Sequence, residues 1–244
     1  MKTGKQKIKM YSELAKYYNL IYSGKDYDAE AKKIIALINK YKKTKGKKLL
    51  DVACGTGLFL KHLKNQFSCM GIDINPAMLD IALEQVTAVR YKQADMMDFD
   101  LNEKFDVVVC LFSSIGYVKT LKNLDKTISN FAKHLNPGGV LIIDPWLSKT
   151  EFQAGHLNAN KYSDDNVVIV DMHTTSRKGN ISTLNIDYLI GKKGAKVKHL
   201  SDVHELGLFS SEETISIMEK HGFKVKFYKK GLREGRHLYL GIKK

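Results

Sequence analysis

One ten-residue stretch, Lys48-Leu49-Leu50-Asp51-Val52-Ala53-Cys54-Gly55-Thr56-Gly57, constrains the fold of this chain more than any other. Leu49, Leu50 and Val52 read as a buried strand, which runs into a glycine turn. Glycines at 55 and 57 let the backbone turn tightly and keep side chains away from a ligand. A helix expected to begin near Leu58 then presents free N–H groups and a partial positive charge. A dinucleotide fingerprint needs a third glycine near position 60, where Leu60 stands, so a nicotinamide or flavin site is disfavoured. Asp51, at the end of the strand, suits a ligand carrying an ammonium group, such as the methionine part of S-adenosylmethionine. By itself the stretch also fits an ordinary strand–turn–helix with a glycine loop.

The next segments sharpen the reading. Met70-Gly71-Ile72-Asp73-Ile74 is a second short apolar run ending in an acid. Asp73 follows Asp51 by 22 residues, about the spacing of ~20 at which an acid meets a ribose diol in nucleotide-binding folds. Pro76 opens the following helix in its first turn, with Met78 just inside it. A third strand, Val89 to Gln93, ends at Ala94-Asp95-Met96-Met97. There Asp95 is positioned for an exocyclic amine, and Met96 and Met97 for the face of an adenine ring. Each acid alone reads equally well as a cap or turn residue. Three, each directly after a successive strand, are hard to assign to chance, and with them the chain resembles a class I S-adenosylmethionine-dependent methyltransferase.

Further along, Phe105 to Leu111 is a continuous apolar run suited to a central parallel strand. It ends in Phe112-Ser113-Ser114-Ile115-Gly116-Tyr117. A helix is expected from Leu121 to Leu135, stopped by Asn136-Pro137-Gly138-Gly139, with a fifth strand from Val140 to Asp144. Such alternation implies a doubly wound, Rossmann-like sheet whose ligands bind beyond the C-terminal strand ends. From residue 147 the pattern changes to three strands, 167–175, 182–190 and 197–209, an antiparallel β insertion after the fifth strand. A helix over 211–221 and strands 223–228 and 237–242 should complete the main sheet. The organisation expected is a basic tail over 1–10, a Rossmann-like core over 11–146, an antiparallel insertion on the acceptor side over 147–209, and a C-terminal helix with the last two core strands over 210–244. Ser12 is expected to cap a helix reaching Tyr22, whose three tyrosines fit a core or an aromatic cover over the donor.

Composition bounds the alternatives. The chain has 244 residues, 43% hydrophobic, which suits one large α/β domain. No long uncharged apolar run is present, so no transmembrane helix is expected, and the lysine-rich start lacks the apolar core of a signal peptide. The three cysteines, Cys54, Cys69 and Cys110, fall in or beside predicted central strands without C-x-x-C spacing. That pattern argues against a metal site and for a cytoplasmic protein. The net charge of +14 raises nucleic acid as a partner. The lysines, however, are spread over a terminus, a loop and predicted turns, as on a solvated surface.

Beyond the core the chain resembles the sugar N,N-dimethyltransferases that act on nucleotide-linked amino sugars, of the desosamine and mycaminose type. The runs that carry the resemblance are Tyr18-Asn19-Leu20-Ile21-Tyr22, Gly24-Lys25-Asp26-Tyr27, the stretch 51–57, Phe112 to Tyr117, Pro145-Trp146, Ser176-Arg177, Leu208-Phe209 and Gly235-Arg236. They span nearly the whole chain, insertion included. Asp144 stands where the family has Glu, Leu147 interrupts an aromatic-rich run, and His237 replaces a Gly; all fall at the expected acceptor site.

The resemblance implies N-methylation of a small amine, with Tyr18 and Tyr117 as the catalytic pair beside the nitrogen. It also implies Asp144, Trp146, Arg177 and Arg236 on the acceptor, the arginines gripping a diphosphate. The cofactor set is Tyr22, Asp51, Ala53, Gly55, Gly57, Asp73, Ile74, Met78, Asp95, Met96, Met97 and Phe112. Two alternatives stay open: an RNA methyltransferase, and a module that binds the donor without catalysis. A homodimer is compatible with each of these readings, the small-amine methyltransferase included. No Asn/Asp-Pro-Pro-aromatic motif follows the fourth strand, which disfavours methylation of adenine or glutamine.

Overall fold

A computed structural model describes residues 9–244. The central sheet has seven strands. They are β1 (Lys48–Val52), β2 (Ser68–Asp73), β3 (Arg90–Gln93), β4 (Phe105–Cys110), β5 (Leu135–Ile143), and then, beyond the insertion, β10 (Phe223–Tyr228) and β11 (Leu238–Lys243). Their order across the sheet is β10-β11-β5-β4-β1-β2-β3. The strands β1 to β5 run parallel, and β11 is antiparallel to both β5 and β10. The order reverses between β1 and β4, so the crevice outside their C-terminal ends is the natural ligand site.

Two apolar layers cover the sheet, as expected for strands buried on both faces. Leu49, Val107, Val109, Val140 and Ile142 pack towards α2 (Tyr27–Tyr41) and α3 (Leu60–Leu63). Leu50, Val52, Val108 and Leu141 pack towards α5 (Leu121–Lys133) and α6 (Ser211–Lys220). Helix starts follow local chemistry. Asp26 accepts the Ala29 N–H at 2.9 Å, and Ser210 with Glu213 forms a reciprocal capping box. Pro76 opens α4 (Pro76–Gln85).

Four features outside the insertion differ from the sequence expectation. The helix after the glycine turn starts at Leu60 and lasts one turn, because Lys64-Asn65-Gln66 offers no apolar residue to continue its buried face. Strand β5 starts at Leu135, not Val140: Asn136 to Gly139 are accommodated by a register shift, where the partner pairing jumps from Phe105↔Leu135 to Val107↔Val140. The segment before α2 is two single 3-10 turns, Lys9–Tyr11 and Ala15–Tyr17, followed by the short α1 (Tyr18–Ile21), rather than one capped helix. Of the expected basic tail, residues 1–8 lie outside the described residues. Met10 is only 1% exposed, packed with Leu14 and Ile21 against Ile169, Tyr188 and Ile190.

The insertion is a sheet of four strands, β6 (Leu157–Ser163), β7 (Val167–Lys178), β8 (Ile181–Lys192) and β9 (Lys198–Gly207), all antiparallel. Strand β6 was not anticipated. Its sequence, Leu157-Asn158-Ala159-Asn160-Lys161-Tyr162-Ser163, sits exposed at the sheet edge and carries no apolar alternation. Gly116, in the 3-10 turn Ser114–Val118, marks where insertion meets core. A Cβ there would lie 2.9 Å from Leu206 and 3.1 Å from Trp146, so a larger residue would push these two side chains back.

Candidate active site

A cavity of about 700 Å³ opens at the C-terminal ends of β1, β2 and β4, within the ~300–1,000 Å³ usual for small-molecule sites. Its floor is the glycine turn. Ala53, Gly55 and Gly57 have φ of 59°, 55° and 78°, a left-handed path that is costly for alanine and easy for glycine. Gly57 lies behind the cavity rather than in its wall, and a Cβ there would meet the Tyr91 hydroxyl at 3.0 Å.

Asp51, at the end of β1, faces the cavity with 2% exposure. Among the described residues no donor reaches its carboxylate, and burial, then the nearby Asp73, pushes its pKa well above the usual range. A buried, unpartnered carboxylate in a cavity is expensive unless a ligand cation completes it, which fits the ammonium of S-adenosylmethionine. Asp73, at the end of β2, accepts the Gly55 N–H and the Asn75 N–H, each at 2.9 Å. It therefore ties the glycine turn to the second strand end while still lining the cavity. Burial raises its pKa, against the pull of these N–H groups. Asp95 accepts the Met97 N–H at 2.9 Å, which folds Met96 and Met97 into the wall beside Ile74 and Met78.

The opposite wall is aromatic. Tyr18 lies 4.6 Å from Tyr22, and Tyr22 meets Phe112 edge-on at 5.0 Å, between ring centroids. Tyr11 lies 6.2 Å from Tyr18 and 5.9 Å from Tyr117. Tyr11, Tyr18, Phe112 and Tyr117 line the cavity, and Tyr22 supports them from behind. Burial drives the hydroxyl pKa values of Tyr11, Tyr18 and Tyr117 well above their ordinary value and that of Tyr22 up to about 12, so all four stay neutral phenols. The segment carrying Tyr18 is pinned to the glycine turn: the Thr56 hydroxyl donates to Asn19 Oδ1 at 2.7 Å.

Phe112 and Ser113 follow β4 with φ of 52° and 66°. Asp144 at the end of β5 holds them there: the Phe112 N–H donates to its Oδ2, and the Ser113 N–H to its backbone oxygen, both at 3.0 Å. Asp144 is 0% exposed and does not line the cavity; its Oδ2 accepts from the Phe112 backbone and Arg233, while its Oδ1 is buried without a hydrogen-bond partner among the described residues. Trp146 also stands outside the cavity wall, its indole N–H donating to the Ser182 hydroxyl at 2.9 Å. Arg236 stacks on that indole at 4.8 Å, with one buried Nη atom unpartnered. Arg177 is engaged elsewhere, donating to the carbonyls of Gly179 at 2.8 Å and Lys149 at 2.9 Å. Thus the structure gathers the expected donor residues and both tyrosines around one cavity, and sets Asp144, Trp146, Arg177 and Arg236 apart from it.

Sequence reasoning missed several groups. Lys25 and Glu30 form a buried ion pair, with Lys25 over the rings of Tyr27, Phe59 and Phe112. Arg233 lies 4.9 Å over Phe112. Tyr11 and His204 meet the Tyr117 hydroxyl, and Asp202 lies beside His204. The one signal available was Asp202-Val203-His204 on a predicted strand, where residues two apart share a face. Among the described residues, no cluster of three His, Cys, Asp or Glu is placed to hold a metal ion, and no helix is long and apolar enough to cross a membrane.

A reversed parallel sheet with a glycine turn, and acids at its first three strand ends facing one cavity, defines a class I S-adenosylmethionine-dependent methyltransferase. Comparison with known proteins agrees. Residues 49–139 match a family model described as a methyltransferase domain. The chain is 36% identical over 231 residues to a dTDP-3-amino-3,4,6-trideoxy-alpha-D-glucopyranose N,N-dimethyltransferase of Streptomyces venezuelae, covering 93% of this chain and 97% of the relative. The crystal structure of Streptomyces venezuelae DesVI superposes with a TM-score of 0.89 at 35% identity, over 95% of this chain and 98% of that one. The S-adenosylmethionine-bound structure of CalS10, an amino pentose methyltransferase from Micromonospora echinaspora, superposes with a TM-score of 0.83 at 27% identity, over 95% and 96% of the two chains. The chain belongs to the family of these sugar N-methyltransferases, and S-adenosylmethionine is its methyl donor.

Proposed function

We propose that this chain methylates the amine of a nucleotide-linked amino sugar. The observation that carries the reading is the extent of the likeness. It covers 97% of the Streptomyces venezuelae relative and so includes the insertion, whose β9 places Val203 and Glu205 in the cavity wall.

S-adenosylmethionine, when bound, supplies a methyl group already activated by its sulfonium. The protein's work is then to bind, orient and exclude water, which supplies most of the acceleration for such a transfer. Asp51 pairs with the donor ammonium, Asp73 accepts from the ribose hydroxyls, and Asp95 accepts from the adenine amine, with Ile74, Met78, Met96 and Met97 against the ring. Ala53 and Gly55 bring the backbone close, and Gly57 completes the turn behind them. Phe112, braced from behind by Tyr22, closes the sulfonium end with an aromatic ring, which favours a cation.

The acceptor nitrogen reaches the methyl between Tyr18 and Tyr117. Both hydroxyls stay protonated and neutral there, so they orient the nitrogen by hydrogen bonds without adding charge. Arg236, stacked on Trp146, is the freer of the two arginines for a phosphate, because Arg177 is already held by two backbone carbonyls. Asp144 acts indirectly, by holding Phe112.

The test is a mass-detected screen of dTDP-linked amino sugars, simple amines and RNA with labelled donor. Mass gain of one or two methyl groups on an amino sugar supports the reading. Transfer to RNA with a steep salt dependence, and to no amino sugar, rejects it.

A further inference from the structure

The cavity wall continues into a hydrogen-bonded chain that orientation of the amine does not require. Tyr117 Oη lies 2.7 Å from Tyr11 Oη and 2.7 Å from His204 Nδ1. His204 Nε2 lies 3.3 Å from Asp202 Oδ2, in ion-pair range but outside hydrogen-bond geometry. Both residues are on β9 and both are buried, His204 at 6% exposure. Asp202 is held rigidly: the Lys9 N–H donates to it at 3.0 Å and the Met10 N–H at 2.7 Å. Burial alone would push its carboxyl up, but the His204 imidazole and these N–H groups outweigh that, and the net pKa is lowered.

Asp202 is therefore a fixed anion next to Nε2. The other titratable groups in contact with the imidazole are Tyr117 and Tyr11, the latter edge-on at 5.8 Å. Tyr18 and Tyr22 stand behind them, and among the described residues no cation is in a ring contact, hydrogen bond or ion pair with the imidazole. An anion on that side favours the Nε2–H tautomer, which leaves Nδ1 free to accept from Tyr117. A second proton at Nδ1 would give an imidazolium facing the carboxylate.

An amine acceptor presents the matching chemical need. Aliphatic amines are ammonium ions near neutral pH, and an ammonium has no lone pair with which to attack. We infer that His204, backed by Asp202, stores the proton the acceptor amine must lose, reached through the Tyr117 hydroxyl; this rests on the amine reading above. In the step, one ammonium N–H bond breaks and its electron pair stays on nitrogen. The proton joins Tyr117 Oη as that hydroxyl's own proton passes to His204 Nδ1, so no free phenolate forms. The stored proton passes to solvent on product release, and a second methylation needs the same step again. His204 is thus a positioning residue that acts through Tyr117 rather than on the reacting atoms.

The bland counterpart is that the same bonds merely fasten the N-terminal segment to β9. His204→Asn separates the two, because Asn keeps an acceptor near the Nδ1 position but cannot hold the proton. The expected result is a kcat about tenfold or more below the parent at neutral pH. The acid limb of the profile should move to higher pH, and the rate should recover to within about threefold once the amine is neutral in solution. Donor affinity stays unchanged. Asp202→Asn, measured in parallel and decisive if His204→Asn does not fold, should move the acid limb in the same direction by less. An equal loss at every pH, or no loss, overturns the relay while leaving amine methylation intact. If the parent enzyme methylates no amine acceptor, the amine reading fails and the relay with it.

Discussion

Arg233 donates to Asp144 at 3.2 Å, and that carboxylate has no exposure to solvent. The same oxygen accepts the Phe112 N–H, while the guanidinium also lies 3.7 Å from Glu30 and 4.9 Å over the Phe112 ring. One cation from the loop before β11 thus neutralises two buried acids and braces a residue with left-handed backbone at the cavity wall.

Replacing Arg233 by Met should expose the cost of those acids. Glu30 would be left with Lys25, and Asp144 with the more distant Arg236 and Lys25, and the expected loss is about 3 kcal/mol of folding stability. Urea unfolding measures it. Arg233→Met combined with Asp144→Asn should recover part of the loss, since a neutral amide needs no counter-charge. A single-variant loss below about 1 kcal/mol would show that the ion cluster does not bear on stability.

Asp73→Ala should weaken S-adenosylmethionine binding by about 1–3 kcal/mol, roughly 5- to 150-fold. The substitution removes an acceptor for the ribose and also releases the Gly55 and Asn75 N–H groups that Asp73 holds. Calorimetry decides; an unchanged Kd would falsify the assignment of this acid to the donor.

Donor binding should fail on acidification sooner than ordinary carboxylates would dictate. Burial raises the pKa values of Asp51 and Asp73 in the free protein, and each must be ionised to meet the donor. The sign for stability is opposite. A carboxyl whose folded pKa lies above its unfolded value binds more protons when folded, so these two groups make the donor-free protein more stable as pH falls through their folded pKa values. Donor affinity and donor-free melting temperature, measured over the same pH series, should therefore move in opposite directions where these acids titrate.

Tyr117→Phe and Tyr18→Phe should each lower kcat by roughly tenfold or more with the donor Kd almost constant, since each removes one hydroxyl and keeps the ring. Tyr117→Phe also cuts the 2.7 Å bonds to Tyr11 and His204, so it should be the more damaging. If neither variant slows turnover on an identified acceptor, the tyrosines do not serve the nitrogen.

The two arginines should separate. Arg236→Lys loses the stacked guanidinium over Trp146 and should raise the acceptor KM about tenfold or more. Arg177 already donates to two backbone carbonyls away from the cavity, so Arg177→Lys should change KM by less than about threefold. Steady-state kinetics with the acceptor varied gives both numbers. The reverse order of effects would place the phosphate grip in the insertion turn.

Most of the strand-end lining of the cavity was legible in the sequence. Leu49-Leu50-Asp51, Ile72-Asp73 and Ala94-Asp95 mark strand ends by local means, an apolar run and the residue that stops it. The parallel order then brings those ends together. Tyr117 was legible for the same reason, as it follows a fourth buried run. The acceptor side was harder to read: Arg177 and Arg236 carry the same local signals, yet one points to backbone carbonyls and the other to an indole.

By itself the sequence determined the Rossmann-like class, the glycine turn and the three acids at one edge, because each depends on periodicity or backbone freedom within about ten residues. Only the tertiary structure decided which polar groups meet: Lys25 and Glu30 with Arg233 from the far end of the chain, Tyr11 with Tyr117, and Tyr117 with His204 and Asp202. Strand β6 belongs to the same class, a polar edge strand that pairs only because β7 lies beside it. Such contacts follow from burial, where an unpaired charge or hydroxyl costs too much to leave alone, and burial is a property of the assembled chain.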